Sequence, residues 1–326
     1  MNHTRKAMFL AACAPVLLAM PAHAQSDTGE TGETRGSARA LIEDIVVFAR
    51  KKSGAEAAQD VPIALTAVSG AQIEAMFAND LTDLGQTMPN VRLDDGGAFP
   101  GVSNYTVRGM GFNSTIASVE PTVGTFVDGM YIGANLGGLQ DTLDLELVEV
   151  LRGPQGTLFG RNVTGGAVLM RSRRPTGEFG GVVKAGIGSG GRRLLAAGIE
   201  GPLAEGLSGK VFARYSDMEG DWDNITTGGK HGALEEFAVR PVIRLQSGGA
   251  DVSLIGEYGT SKGHGVASRF IEDPAQLLFT QGVREPAGGA EKLSINFPGE
   301  TDIEWKQAVL DAKFGVGGAT ITPITR

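Results

Sequence analysis

The chain has 326 residues, with 29 Lys and Arg against 37 Asp and Glu, a net charge of −8, 49 glycines and a single cysteine. Its glycine content is about twice the usual share of roughly 7%, which favours many turns and short strands over long helices. An acidic chain is a poor partner for nucleic acid, and no stretch reaches the roughly 18 consecutive apolar residues of a membrane helix.

The N-terminus reads as an export signal. "MNHTRKAM" carries Arg5 and Lys6, "FLAACAPVLLAM" is apolar but short, and "AHA" precedes Gln25, so cleavage is expected after Ala24. Removing residues 1–24 takes away two positive charges and no negative one, which moves the balance from −8 to −10. Cys13 leaves with the signal, and that excludes disulfides, thiolate metal sites and a cysteine nucleophile. An exported chain without a membrane helix can enter a membrane only as strands.

Residues 25–60 read as a flexible leader. "QSDTGETGETRGSARA" offers nothing to bury. "LIEDIVVFARKK" then places Ile45, Val46, Val47 and Phe48 in a short strand-forming run. Such a segment suits addition to the sheet edge of a partner, and it suits equally the first strand of the next domain.

From 61 to 176 the pattern is an α+β domain. "VPIALTAVSG" reads as a strand, and "SGAQIEAMFANDLTDLGQTMP" holds two short helices. Ser69 caps the first, Asp80 caps the second, and Pro89 stops the run. "NYTVRGMG", "PTVGTFVDGMYIG", "LDLELVEVLRGPQ" and "GGAVLMRSRRP" are β-branched runs ended by Gly or Pro. Glycines 153, 156, 160, 165 and 166 resemble a phosphate-binding loop, but the lysine and hydroxyl which that chemistry needs are missing.

Past Pro175 the period becomes two. Phe237, Val239, Pro241, Ile243 and Leu245 share one face, with Arg240, Arg244 and Gln246 on the other. Val211, Ala213 and Tyr215 stand against Lys210, Arg214 and Ser216, while Ala308, Leu310, Ala312 and Phe314 stand against Gln307, Asp311 and Lys313. Tight turns at "PLAEG", "SGGAD" and "VGGAT" alternate with long segments at 217–234 and 265–302. Apolar-out, charged-in strands with short turns at one end describe a membrane barrel with a wet lumen. A soluble sandwich alternates in the same way but buries its apolar face.

The order "TVRGMG", "PTVGTFVDGMYIG", "DLELVEVLRGPQGTLFGRNVTGGAVLMRSRRP" resembles the plug domain of TonB-dependent outer-membrane receptors. "IEDIVVFARKK" followed by "VPIALTAVSGAQIEA" resembles the TonB box and plug start of the same family, so the match runs from about 42 to 174. The resemblance implies a plug that fills a barrel of antiparallel strands. It implies that Glu43, Asp44, Ile45, Val46 and Val47 bind the energy-coupling protein TonB. The architectural motif would comprise Arg108, Gly109, Asp128, Gly129, Arg152, Gly153, Pro154, Gly156, Gly160, Arg161, Gly165 and Gly166. In a plug these glycines make tight turns beside the wall, and Arg152 and Arg161 are expected to face acidic wall residues. The apical loops offer Asp94, Asp95, Phe99, Asn104, Phe112 and Asn113 as substrate contacts. The implied substrate is a small scarce solute such as a ferric siderophore, and the implied setting is the bacterial outer membrane with its lipid.

Six full strands and the start of a seventh fit into 177–326. Lumens that hold a plug belong to barrels of about 22 strands, so the chain is expected to be the N-terminal, truncated part of a receptor. Three motifs lead elsewhere. "GIGSGG" at 186–191 lacks a following helix, because Gly198 and Pro202 interrupt it. "GTSKG" at 259–263 lacks a following helix and has only His264 after it. Asp217, Glu219, Asp221 and Asp223 could hold calcium but suit a solvated loop. Only His231 and His264 remain after the signal, too little for catalysis, and no enzyme, cofactor or metal is expected. The alternative to transport is an exported plug-like module that only binds a ligand.

Overall fold

The structure, a computed structural model, describes residues 46–47, 56–57, 61–78, 80–95, 103–111, 119–133, 142, 144–265, 292–316 and 319–325. The signal at 1–24, most of the leader, and Glu43, Asp44 and Ile45 lie outside the described residues. No described helix is long and apolar enough to cross a membrane.

The first strands are minimal: β1 (Val46–Val47) pairs antiparallel with β2 (Glu56–Ala57). The strand-former is therefore neither unpaired nor part of the following sheet; it lies on its own leader. Next come β3 (Leu65–Ser69), α1 (Gly70–Ala75) and α2 (Leu81–Thr87). Ser69 closes a capping box with Gln72, and the Asp80 carboxylate accepts from the Asp83 amide at 2.9 Å. Each cap satisfies amides that the short helix cannot. Pro89 follows directly on the Met88 cap, as its missing donor requires.

Beyond α2 lie β4 (Val91–Asp95), β5 (Ser103–Val107) and β6 (Met110–Gly111), which form a small sheet. The strands β7 (Val123–Val127), β8 (Met130–Ile132), β9 (Leu145–Arg152) and β10 (Gly166–Ser172) then join β3 in the order β3-β9-β10-β7-β8. A helix not expected from the sequence, α3 (Gly156–Phe159), sits in the glycine loop. β9 reads "LELVEVLR", with Leu145, Leu147, Val148, Val150 and Leu151 all buried, so it is covered on both faces. One face packs on Ile73, Leu81 and Leu84 of the helices, and the other on Phe126, Val163 and Phe159.

The second body is one long-stranded antiparallel sheet. It contains β11 (Gly180–Ile187), β12 (Arg193–Ala204), β13 (Leu207–Met218), β16 (Leu234–Ser247), β17 (Ala250–Gly263) and β19 (Thr301–Val316). Between them, β14 (Trp222–Asn224), β15 (Lys230–His231) and β18 (Lys292–Leu293) pair across the two long loops. A seventh strand begins as β20 (Ala319–Ile321) and β21 (Ile324–Thr325), both hydrogen-bonded to β19 and interrupted at Pro323. Among the described residues β11 pairs only with β12, so the sheet is open. "GIGSGG" lies at the end of β11 and the turn after it, and "GTSKG" lies within β17.

The alternation holds. Val211, Ile243 and Leu254 are exposed by 46%, 47% and 49%, whereas Lys210, Arg240 and Glu257 are 7%, 4% and 5% exposed. Pro241 lies within a central strand, where the β16–β17 ladder skips Arg240 and Pro241, and its ring packs on Gly256. A proline there has no donor to offer.

Candidate functional site

The chemistry of the molecule gathers where the α+β domain meets the inner face of the open sheet. Part of the contact is apolar: Met130 of β8 packs on Val242, Ile255 and Val309, one from each of three neighbouring strands. The rest is charged. Asp144, just before β9, accepts from Lys210 Nζ on β13 and lies 3.7 Å from Arg240 on β16. Lys210 also donates to the Arg173 carbonyl at 2.8 Å. Arg240 Nε donates to Glu257 of β17 at 3.1 Å, and Glu257 further accepts from Trp305 at 2.7 Å and Gln307 at 3.3 Å on β19. One buried row thus crosses four strands and ends on a carboxylate of the other domain. Burial pushes the Asp144 carboxyl above its usual range, while Lys210 and Arg240 pull the other way.

A second contact lies at the end of β10. Asp128 accepts from the Ser172 amide at 3.0 Å, the Ser172 hydroxyl at 2.8 Å and Arg174 at 3.1 Å. The other arm of Arg174 reaches Asp311 of β19 at 3.2 Å. A third is more exposed: Glu74 of α1 pairs with Lys184 of β11 at 3.0 Å and with Arg173 at 3.3 Å, and its hydrogen bond to Lys184 lowers its pKa. Beside Arg174 a cavity of about 430 Å³ is lined by Asp128, Glu149, Arg171, Asp311 and Lys313.

These contacts correct one expectation. Arg152 does not face an acidic wall; its guanidinium donates to the Pro89 and Leu65 carbonyls, both at 3.4 Å. β9 ends beside β3, so the arginine falls among the carbonyls of its own domain. Arg161 pairs with Glu120 at 3.1 Å, again inside the domain, with 81% of its side chain exposed. The cross-domain cations are instead Arg174 from the first domain, and Lys184, Lys210 and Arg240 from the sheet. The alternation in "LSGKVFARYS" and "EEFAVRPVIRLQSG" places Lys210 and Arg240 on the inner face, but nothing in it names Asp144 as their partner.

The other expected residues occupy turns, loop ends and one hairpin. Arg108–Gly109 and Asp128–Gly129 are two-residue hairpin turns with positive φ throughout, 52° and 77° in the first, 51° and 82° in the second. Gly153 and Gly160 take φ of 107° and 83°, where other residues are strained. The Gly153 amide donates to the Gly165 carbonyl at 3.0 Å and closes the loop, while Pro154 and Gly156 lie on its exposed side. Gly166 opens β10 against Leu151, leaving a Cβ no room beside the Leu151 carbonyl. Asp94 and Asn104 face each other across the β4–β5 hairpin, with Asp95 opposite Ser103, and Asp94 is paired with Arg92 at 2.6 Å. Phe99, Phe112 and Asn113 lie outside the described residues. Asp217 and Glu219 are held by Arg193 at 3.6 and 3.1 Å, and Asp223 by Lys230 at 2.9 Å.

A small domain is thus seated by buried ion pairs on the polar face of an apolar-backed sheet. Residues 57–167 match the TonB-dependent Receptor Plug Domain. It is similar to the iron-regulated outer membrane virulence protein of Vibrio cholerae, 28% identical over 51% of this chain and 27% of that protein. The pesticin receptor of Yersinia pestis is 27% identical over 65% of this chain and 29% of its own length. The ferrioxamine B receptor of Salmonella typhimurium is 37% identical over 30% of this chain and 13% of its own. Among solved structures, the ferric yersiniabactin uptake receptor of Yersinia pestis shares the fold at a TM-score of 0.64 and 21% identity, over 78% of this chain and 39% of that one. The chain thus spans less than a third of the length of these curated relatives.

Proposed function

We propose that this chain carries the plug and the first wall strands of an outer-membrane receptor that imports a small scarce solute, in kind a ferric siderophore, at the expense of TonB. The observation that carries this reading is the inversion of the long-stranded sheet. Its apolar face points away from the plug and its buried charged face is satisfied by the plug, which makes sense only if lipid meets the outside. Relatives named for ferrioxamine B and ferripyoverdine support the substrate class. The chain then divides into a signal at 1–24, a leader at 25–60, the plug at 61–176 and the wall at 177–326. Glu43 to Val47 are assigned to TonB. Asp94, Asp95, Phe99, Asn104, Phe112 and Asn113 are assigned to the substrate.

The test is uptake of iron-loaded siderophores by cells that lack their own receptors and express this protein. Val46→Pro removes a backbone donor and is expected to abolish uptake while leaving ligand binding intact, because TonB would add its strand there. Uptake at the unmodified rate would overturn the coupling assignment. Fractionation separates transport from an exported binding module, since the module would stay in the soluble periplasmic fraction.

A further inference from the structure

We propose that His231 and His264 form an acid-sensitive clasp that fastens the segment between β15 and β16 to the residues that follow β17. The inference concerns these segments and goes beyond the uptake reading.

His231 belongs to β15 and is 1% exposed. Its Nε2 lies 3.0 Å from the Gly265 carbonyl oxygen, which can only accept, so Nε2 carries the proton and Nδ1 the lone pair. That Nδ1 is buried without a hydrogen-bond partner among the described residues. His264 is committed in the opposite sense: its Nδ1 accepts from the Ala233 amide at 3.4 Å, while its own amide donates to the Ala233 carbonyl at 2.9 Å. The rings stack with centroids 5.1 Å apart and planes 19° apart. Residues 231 and 233 of one loop are thereby joined to 264 and 265 of the other, and the Gly265 amide continues to the Pro298 carbonyl at 3.0 Å.

The surroundings offer neither ring an acceptor for a second proton. A proton on His231 Nδ1 would create a buried donor with no acceptor. A proton on His264 Nδ1 would set it against the Ala233 N–H. Either cation would also sit one stacking distance from the other ring. The hydrogen bonds of the two rings run to Gly265 and Ala233 alone among the described residues, and no carboxylate compensates. Around the pair, Asp223 and Lys230 of β14 and β15 bind each other at 2.9 Å, and Lys262 and Asp302 of β17 and β19 at 3.2 Å. Lys292 of β18 lies opposite Asp223, Asp221 sits against the Gly190 turn, and the exposed Glu235 of β16 is hydrogen-bonded to Tyr215. Burial and the neighbouring His231 lower the His264 pKa. Opening therefore takes up protons: the closed clasp is at full strength above the ordinary histidine value of about 6.5 and weakens as pH falls below it.

The experiment is hydrogen exchange on the full 326-residue chain in detergent at about pH 7.5 and about pH 5, on either side of the histidine value, with intrinsic rates divided out. Protection of the Ala233, His264 and Gly265 amides is expected to fall about tenfold or more in acid, while that of the β9 amides stays constant. H264Q keeps an acceptor for Ala233 but cannot titrate, so most of the acid sensitivity is expected to vanish. Imidazole resonances of the unmodified protein give an independent reading that requires no variant. His264 is expected to titrate below about 6.5. Equal protection at both pH values, or His264 titrating at or above that value, would overturn the proposal.

Discussion

The plug and the wall bury opposite things. The plug core is apolar, with Leu84, Val107, Val148 and Val168 all at 0% exposure, and it holds by keeping hydrocarbon from water. The wall leaves Val211, Ile243 and Leu254 outside and buries Lys210, Arg240 and Glu257 within. The plug strands β7 and β9 are buried on both faces, whereas the wall strands alternate, apolar on one face and charged on the other. A buried ion pair contributes little net stability against a well-packed apolar pair, although breaking one partner out of it is costly. The wall charges therefore fix where the plug sits more than how firmly the whole molecule folds.

The contrast is tested most sharply at the charged contact. Asp144→Asn removes the carboxylate to which Lys210 donates, while Arg240 keeps Glu257, and should cost about 3–5 kcal/mol in urea unfolding of the seated plug. Replacing both partners, Asp144→Leu with Lys210→Met, should recover most of that loss. A double variant as unstable as the single one would mean that the charges hold the fold rather than set a position.

The plug core should respond to volume instead. Leu84→Ala, between α2 and β4, is expected to cost about 2–5 kcal/mol through lost burial and a residual cavity. Hydrogen exchange on β9 would report it, with the wall strands unaffected.

Backbone strain comes next. Gly160→Val has open space for the side chain but inherits φ of 83°, so its cost of about 1–3 kcal/mol would be purely conformational. Gly156, also in open space but without positive φ, should accept Ala at almost no cost. Melting temperatures of the two variants should therefore diverge, and similar values would remove the strain argument.

The smallest effect belongs to Glu74, whose side chain is 46% exposed. Its pKa is lowered by Lys184 and Arg173, so its contribution is present above the ordinary carboxylate value and disappears as pH falls through the folded one. Glu74→Gln is expected to cost less than about 1 kcal/mol at neutral pH and nothing measurable in acid, as read by unfolding at the two pH values.

Much of this is legible in the residues. The caps at Ser69 and Asp80 are local chemistry within three residues, and the period-two pattern after Pro175 needs only neighbours along one strand. The positive φ of Gly153 and Gly160 is foreseeable from turn chemistry. The arginines of the glycine loop escape such reasoning because a charged side chain declares no partner. Which carbonyls lie near Arg152 depends on β9 pairing with β3, some 80 residues earlier in the chain. Val46 and Val47 are recognisable as strand-formers, but their pairing with Glu56–Ala57 needs coordinates.

The sequence by itself determined the alternation, the turns and the sign of each face, because these follow from local backbone preference and from which side chains tolerate burial. Only the tertiary structure decided that Asp144 meets Lys210 and Arg240, that Arg174 spans Asp128 and Asp311, and that His231 stacks on His264. Those meetings join residues 33 to 137 positions apart, and no periodicity along a chain encodes a distance across it.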